Sequence, residues 1–145
     1  MKSFLIVFAL LFIAAGTGFC GDQSTKDSLS IGLPNETQLE EGLINGGAPN
    51  EEILKMAAQK GFKTVIDVRT PAEGTAEEKV VAEKYGLRYI NIPVQGYIAP
   101  EQVQKLGEAL SEPNVKPVVL HCASGGRSSA LYQALIASGI PRKTG

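Results

Sequence analysis

Three short apolar runs, each next to a stretch with helical features, constrain the fold of this chain more than anything else in its sequence. The runs are residues 64–68, 87–92 and 116–120. The first is β-branched and too dense to be half exposed, which is typical of a strand buried on both faces. Strands that alternate with helices over short connections predict an α/β domain with a mainly parallel central sheet flanked by helices.

The helices between these strands carry their own start signals. Asn50 is a typical N-cap, and Pro100 suits the first turn of a helix. Thr75 and Glu78 have the spacing of a capping box. A fourth helix is predicted to begin at Ser128 and to run for about three turns, an ordinary length for a globular protein.

The N-terminus has the pattern of a secretory signal peptide. Lys2 precedes twelve unbroken apolar residues, 4–15, and a small-residue stretch follows. Twelve helical residues span about 18 Å, too little for a bilayer core of about 30 Å. We therefore expect residues 1–20 to direct export to the periplasm or the medium. We expect no membrane attachment afterwards unless Cys20 is lipidated.

Residues 21–35 are polar and without periodicity, which predicts a flexible leader ahead of a folded domain at 36–145. The chain stops six residues after Gly139. A sheet covered by helices on both faces normally has one more helix, so the fold is either minimal or truncated at its C-terminus.

Composition excludes several classes of function. With 14 Lys and Arg against 15 Asp and Glu, no broad basic surface is available for nucleic acid. One His and two Cys cannot supply a Cys/His zinc site or a cysteine-ligated iron–sulfur cluster. Neither a metal nor an organic cofactor is expected, because cysteine-based chemistry at the segment around Cys122 needs neither. Removal of Cys20 with the signal would leave Cys122 unpaired and potentially reactive.

The segment around Cys122 carries the chemistry. A buried strand ends at His121, and the loop Ala123-Ser124-Gly125-Gly126 leads straight into a helix. Such a loop turns backbone N–H groups toward a common centre, and the helix N-terminus adds a partial positive charge. Both features bind anions and lower the pKa of a thiol. We therefore predict a phosphate-binding loop at 123–127, with Cys122 at its base.

Three side chains next to the cysteine have predicted roles. Arg127 can hold two oxygens of a tetrahedral anion in its planar fork. Ser128 can donate a hydrogen bond to the thiolate. His121 is expected to orient the loop through backbone hydrogen bonds rather than to act as a base.

The segment from His121 to Ser128 resembles the signature loop of cysteine-dependent tyrosine and dual-specificity phosphatases. Residues 44–49, 64–71 and 89–94 are similar to the bacterial β-lactamase-hydrolase-like branch, also described as phosphatase domains fused to NAD kinase. The resemblance implies that 36–145 has a dual-specificity-phosphatase fold. It also implies hydrolysis of phosphomonoesters, such as aryl phosphates, on a small molecule or a phosphoprotein.

The resemblance further implies a mechanism. Cys122 would attack phosphorus to form a phosphocysteine, while Arg127 and the loop N–H groups stabilise the transition state. Water would then hydrolyse the intermediate, with Ser128 helping the thiolate to leave.

Two departures from the broad phosphatase pattern are visible. Four residues rather than five separate Cys122 from Arg127, although the bacterial branch shares this shorter loop. The loop at 93–98, where the family's acidic residue is expected, contains no carboxylate. Glu101 is the nearest candidate general acid, but helix first turns commonly carry carboxylates as dipole partners. Loss of a general acid typically costs about 10²–10⁴-fold, so weak activity is expected, least impaired on aryl phosphates.

Three further charged residues have simpler interpretations. Asp67 and Arg69 end a central strand and suit an ion pair or a loop brace. Glu73 is interpreted as part of a solvated face.

Two other functions are compatible with the same residues. In a rhodanese-like sulfurtransferase, Cys122 would carry a persulfide and the short loop would suit sulfur. His121 and the helix that follows Thr75 are unlike that family. A non-catalytic anion-binding pseudophosphatase would keep the loop without an acid. Phosphate release, thiocyanate formation or binding alone distinguishes the three.

Overall fold

The computed structural model describes residues 29–142 and contains five strands and four α-helices. The strands are β1 Thr37–Glu40, β2 Leu43–Gly46, β3 Thr64–Asp67, β4 Arg88–Asn91 and β5 Val118–His121. The helices are α1 Glu51–Gln59, α2 Thr75–Lys84, α3 Pro100–Leu110 and α4 Gly126–Ser138, and a 3-10 turn at Pro71–Glu73 precedes α2.

The sheet has the order β1-β2-β5-β3-β4, in which β2, β5, β3 and β4 are parallel and β1 is antiparallel at the edge. The predicted α/β class with a mainly parallel sheet is confirmed. The sequence did not indicate β1, because its residues are half-buried or exposed and form no apolar run. In the central strand, His121 lies opposite Gly46 of β2 and Asp67 of β3. The carboxyl ends of three strands therefore meet at one edge.

Helices cover both faces of the sheet, each over its own apolar cluster. One face packs α3 and α4 through residues such as Leu106 and Leu131, and the other packs α1 through Leu54 and α2 through Ala82. All four residues of β5 are buried. This two-sided burial explains why the strand has an almost uninterrupted apolar sequence.

The expected flexible leader is wrong for residues 29–35. Ile31 and Leu33 are 3% and 4% exposed and join the cluster around α1. The Glu36 carboxylate accepts hydrogen bonds from the N–H groups of Ile31, Gly32 and Leu33, which fixes the turn. The segment 21–35 is mostly polar, so its sequence did not predict that Ile31 and Leu33 are buried. The predicted signal peptide, Cys20 and the rest of the leader lie outside the described residues.

The predicted capping box at the start of α2 is also wrong. Thr75 is buried within the first turn, and Gly74, with φ +89°, precedes it without a side-chain cap. The capping box lies one turn earlier, where Thr70 and Glu73 close the 3-10 turn. The sequence contains the two patterns one after the other, at 70–73 and 75–78, and the left-handed Gly74 between them separates the 3-10 turn from α2.

The predicted starts of the third and fourth helices agree more closely with the structure. Pro100 occupies the first turn of α3 as predicted, and α4 begins two residues before Ser128. Within residues 29–142, every helix is too short or too polar to cross a bilayer.

Candidate active site

The candidate site lies at the carboxyl edge of the sheet, between β2 and β3. There β5 ends at His121, and the loop of residues 122–125 leads directly into α4. Ligands of parallel α/β sheets commonly bind at this edge. The structure brings together every residue of the predicted loop, from His121 to Ser128.

Groups outside the loop hold it in place through hydrogen bonds to its carbonyl oxygens. The side chains of His121, Asn35 and Asn45 face the carbonyls of Cys122, Ser124 and Gly125 at 3.2, 3.1 and 3.1 Å. The Ala48 N–H donates to the Ala123 carbonyl at 3.2 Å. Because consecutive carbonyls point outward, the N–H groups of the same peptides turn toward the centre of the loop.

Gly125 is the glycine that this conformation requires. Its φ is +97°, and a Cβ there would approach the Gly46 backbone to 3.2 Å. Gly126 has no left-handed φ, and a Cβ added to it would meet no neighbouring atom within 4 Å. Only the first of the two predicted loop glycines is therefore needed for the turn.

The Cys122 thiol lies at the base of this loop and is 1% exposed as a residue. Its Sγ accepts a hydrogen bond from the Gly125 N–H at 3.0 Å. Burial raises the pKa of the thiol, but the N–H groups of Ser128, Ser124 and Gly125 and the Ser128 hydroxyl lower it to about 7. A large fraction is therefore thiolate at neutral pH, as the helix N-terminus predicted.

Asn45 holds the Ser128 side chain and was missed by sequence reasoning. Ser128 is fully buried, and its hydroxyl donates to Asn45 Oδ1 at 2.6 Å. From the sequence alone Asn45 belongs to the turn that ends β2, because asparagine followed by glycines is typical of turns. Instead it is the third residue of β2 and 3% exposed. It connects β2 to the loop and to the first turn of α4.

Glu73 is exposed, as expected of a solvated face, but it is also bound to Arg127. Arg127 Nη1 and Nη2 donate to the two Glu73 carboxylate oxygens at 3.0 and 2.5 Å. This bonding lowers the Glu73 pKa to about 2 and, together with the Cys122 thiolate, raises the pKa of Arg127. Local sequence gave no signal for a pair 54 residues apart.

The hydrogen bonds that Arg127 makes to Glu73 and Val94 also determine which of its N–H groups can bind a ligand. Nη1 donates to the Val94 carbonyl at 3.1 Å as well as to Glu73. Guanidinium has five N–H donors, and Nη1 uses both of its own. The Nε–H and the second Nη2–H form a parallel pair along the other edge. That edge has the fork geometry for two oxygens of a tetrahedral anion.

The His121 ring contacts the backbone of the loop, and its role as an orienting residue stays a prediction. It is fully buried, its Nδ1 lies 3.2 Å from the Cys122 carbonyl, and its Nε2 lies 2.6 Å from Glu78 Oε1. Asp67 and Arg69 form the predicted ion pair at 2.8 Å, and Arg69 also binds Glu78 at 2.5 Å. Burial raises the pKa of Asp67, but the hydrogen bonds from Arg69 outweigh it and the net shift is downward.

Asp67, Glu78 and His121 lie close enough together to raise the question of a metal. Their ligand atoms are within 4.8 Å of one another. However, the Arg69 guanidinium already binds both carboxylates. The positive charge of Arg69 would repel a divalent metal ion placed between these side chains, so this donor set does not fit a metal site.

Glu101 is not placed as a general acid. Its carboxylate forms an ion pair with Lys105 at 2.6 Å on the exposed surface of α3, and this contact lowers its pKa. A carboxyl that is fully ionised at neutral pH has no proton to give to a leaving group.

The fold and this loop together define a domain with a dual-specificity or tyrosine phosphatase-like fold. The profile of the family described as "DSP-PTPase phosphatase fused to NAD+ Kinase" matches residues 21–137, and the chain belongs to this family. The family resemblance inferred from the cysteine loop is thereby confirmed.

Curated relatives match over part of their length. The chain is 30% identical over 100 residues to the "Beta-lactamase hydrolase-like protein" of Xylella fastidiosa, covering 65% of this chain and 23% of the relative. It is 34% identical over 108 residues to "Probable NAD kinase 2, chloroplastic" of Oryza sativa subsp. japonica, covering 65% of this chain and 10% of the relative. The chain thus spans less than a quarter of either protein.

Solved structures share the fold. A DUF442 protein from Shewanella putrefaciens CN-32 superposes with a TM-score of 0.67 at 24% identity, covering 77% of this chain and 74% of that chain. The core catalytic domain of the PP-IP phosphatase SIW14 from S. cerevisiae gives 0.61 at 17% identity, covering 75% and 70%. Family and fold together support a phosphatase activity in general.

Proposed function

We propose that the protein is a cysteine-dependent phosphatase that hydrolyses phosphomonoesters through a phosphocysteine intermediate. The observation that carries the proposal is the convergence on the Cys122 sulfur of loop N–H groups, among them that of Gly125 at 3.0 Å. Arg127 lies beside the same sulfur with one edge of its guanidinium available. This is the donor set that a transferring phosphoryl group needs.

In the first step, the Cys122 thiolate attacks phosphorus. An S–P bond forms, and the P–O bond to the leaving group breaks with its electron pair on that oxygen. The loop N–H groups and the free edge of Arg127 bind the three remaining phosphoryl oxygens. In the second step, water attacks phosphorus, the S–P bond breaks, and inorganic phosphate leaves. The Ser128 hydroxyl can turn from Asn45 to the departing thiolate and stabilise it.

The proposed substrates are aryl phosphates, on a small molecule or on a phosphoprotein tyrosine. The loop at 93–98 carries no carboxylate, and Glu101 is ion-paired with Lys105. The leaving group must therefore depart with little help from the protein. A phenolate tolerates this better than an alkoxide, because it is the weaker base.

A sulfurtransferase is the second candidate, because the geometry of the loop is compatible with it as well. Four residues separate Cys122 from Arg127, and the Gly125 N–H points at the sulfur itself. Such a loop would also suit the terminal sulfur of a persulfide. A binding-only protein would keep the same contacts without turnover.

Parallel assays of the purified protein and its Cys122→Ser variant separate these functions. One assay follows p-nitrophenyl phosphate hydrolysis, and the other follows sulfur transfer from thiosulfate to cyanide. The proposal predicts Cys122-dependent release of p-nitrophenol. Thiocyanate formation without phosphate release would replace it with the sulfurtransferase. Phosphate binding by a folded, inactive protein would replace it with a binding module.

We also propose that the protein is exported, on the basis of residues 1–20 alone. Fractionation of the native host, with N-terminal sequencing of the mature protein, tests this. The expected result is an extracytoplasmic protein that lacks the first twenty or so residues, the usual length of a signal peptide. A cytoplasmic protein with an intact N-terminus would contradict it.

A further inference from the structure

Glu78 has no place in the mechanism above, yet it is one of the most buried carboxylates described. It lies in the first turn of α2 and is 8% exposed. Instead of capping its own helix, its carboxylate turns toward the strand ends. Oε1 lies 2.6 Å from His121 Nε2, and Oε2 accepts from Arg69 Nη2 at 2.5 Å.

The partners of the His121 ring determine where its protons lie. Nδ1 faces the Cys122 carbonyl, which can only accept, so Nδ1 must carry a proton. Nε2 faces a Glu78 oxygen at 2.6 Å, so a proton lies between those two atoms. Flipping the ring would place carbon atoms against both partners. Glu78 therefore fixes the orientation in which Nδ1–H reaches the cysteine carbonyl.

None of the other charged groups described around the ring forms a hydrogen bond with it, so Glu78 is the group that orients it. Asp67 Oδ2 is 3.9 Å from Nε2, and it is already bound by Arg69 at 2.8 Å and by the Tyr89 hydroxyl at 2.7 Å. Arg69 binds the two carboxylates, and no hydrogen bond joins it to the ring among the described residues.

We propose that Glu78 is a positioning residue for the nucleophile, which acts through His121 to hold the Cys122 carbonyl outward. The inference rests on the proposed role of Cys122. The first carbonyl of the loop points away from the centre because His121 binds it, and the N–H groups that follow then converge on Sγ. Without Glu78, the ring is free to turn and this first anchor of the loop is lost.

The expected consequence is a less stabilised thiolate. In Glu78→Gln, the pH midpoint of Cys122 alkylation by iodoacetamide should rise by about one unit, toward the value of an ordinary thiol. Alkylation is read by mass spectrometry on the peptide that carries Cys122. Glu77→Gln is the matched control, because Glu77 is the exposed neighbour in the same turn, and it should keep the wild-type midpoint.

A double-mutant cycle tests whether the effect passes through the ring. His121→Ala removes the ring through which Glu78 is proposed to act. It should raise the midpoint about as far as Glu78→Gln does, and adding Glu78→Gln to it should produce no further shift. An equal shift in both backgrounds would overturn the proposal, as would an unchanged midpoint in folded Glu78→Gln.

A measurement on the wild-type protein covers the case in which Glu78→Gln does not fold. The chain contains one histidine, so the ¹⁵N spectrum of its imidazole gives one pair of ring signals. The proposal requires a protonated Nδ1. A ring protonated at Nε2 alone would overturn it. These readouts do not depend on turnover, so they separate failure of this inference from failure of the proposed phosphatase activity.

Discussion

At the scale of single residues, the reactivity of Cys122 depends on hydrogen-bond donors rather than on an adjacent base. His121 precedes it directly, but its ring faces the cysteine carbonyl and Glu78, not the sulfur. The donors are the backbone N–H groups of Ser124, Gly125 and Ser128, with the Ser128 hydroxyl within reach of the sulfur. This arrangement keeps a thiolate available without a base that must change protonation in each cycle.

The pH dependence of Cys122 alkylation should show this effect. Because the folded-state pKa is lowered to about 7, the rate should rise with pH and reach half its maximum near neutrality. Ser128→Ala removes the hydroxyl that can turn from Asn45 to the thiolate, so the thiolate becomes less favoured and the midpoint moves upward. Iodoacetamide rates across the pH range measure both values. A midpoint that is unchanged or lower in Ser128→Ala would contradict the account.

Glu73 should affect activity through Arg127. Glu73→Gln removes the charge that holds Nη1 and Nη2, so the free edge of the guanidinium is no longer directed at the loop. We expect kcat/KM for p-nitrophenyl phosphate to fall, by up to about 10²-fold, as when a binding group is misplaced. Glu101→Gln is the matched control on the neighbouring helix and should keep wild-type activity. Equal losses in both variants would show that Glu101 does take part.

At the scale of elements, the site is a meeting point of strand ends that are distant in sequence. Asn45 on β2 binds the Gly125 carbonyl and Ser128 at the start of α4. Asp67 on β3 lies opposite His121 on β5. The loop is thus supported by two strands and one helix, each of which must be in register for its N–H groups to converge.

Asn45→Ala should destabilise the protein as well as the site. It removes one buried hydrogen bond from the Gly125 carbonyl and one from the Ser128 hydroxyl, which remain bonded to each other. Each lost bond typically costs about 0.5–1.5 kcal/mol. Urea denaturation measures the loss, and the exposed Gln38→Ala on neighbouring β1 serves as the control. Equal stability of the two variants would show that Asn45 is not a support of the loop.

The sequence predicted features that are encoded locally. Strand β3, the start of α3 and the entire cysteine loop follow from apolar runs, proline position and adjacent glycines. Features that depend on pairing between distant segments were not predictable in the same way. The contact of Glu73 with Arg127 crosses 54 positions, and that of Glu78 with His121 crosses 43. Edge strand β1 was missed because it has little apolar surface to bury.

At the scale of the whole molecule, one buried ionic network joins helix α2 to the ends of strands β3 and β5. Arg69 follows β3, binds Asp67 on the sheet and reaches Glu78 on α2. Its guanidinium is thereby the shared partner of two carboxylates that are almost fully buried. Arg69 thus joins α2 to the end of β3, and Glu78 extends the network to His121 on the nucleophile strand.

Arg69→Met should therefore be strongly destabilising. It leaves Asp67 and Glu78 buried without their cation, and breaking such a pair typically costs about 3–5 kcal/mol. The native Asp67 pKa is lowered, so its stabilisation is present at neutral pH and is lost as pH falls through its folded-state value. Urea midpoints at neutral pH measure the loss. A change of less than about 1 kcal/mol, the size of a surface ion pair, would contradict this role.

The central claim is that Cys122 carries the phosphoryl group during turnover. The most direct measurement is an acid quench of the protein during p-nitrophenyl phosphate hydrolysis, followed by mass spectrometry of the peptide that carries Cys122. The account predicts the mass of one added phosphoryl group on that cysteine, and no such adduct in Cys122→Ser. Continued phosphate release with an unmodified cysteine, or turnover by Cys122→Ser at the wild-type rate, would contradict it.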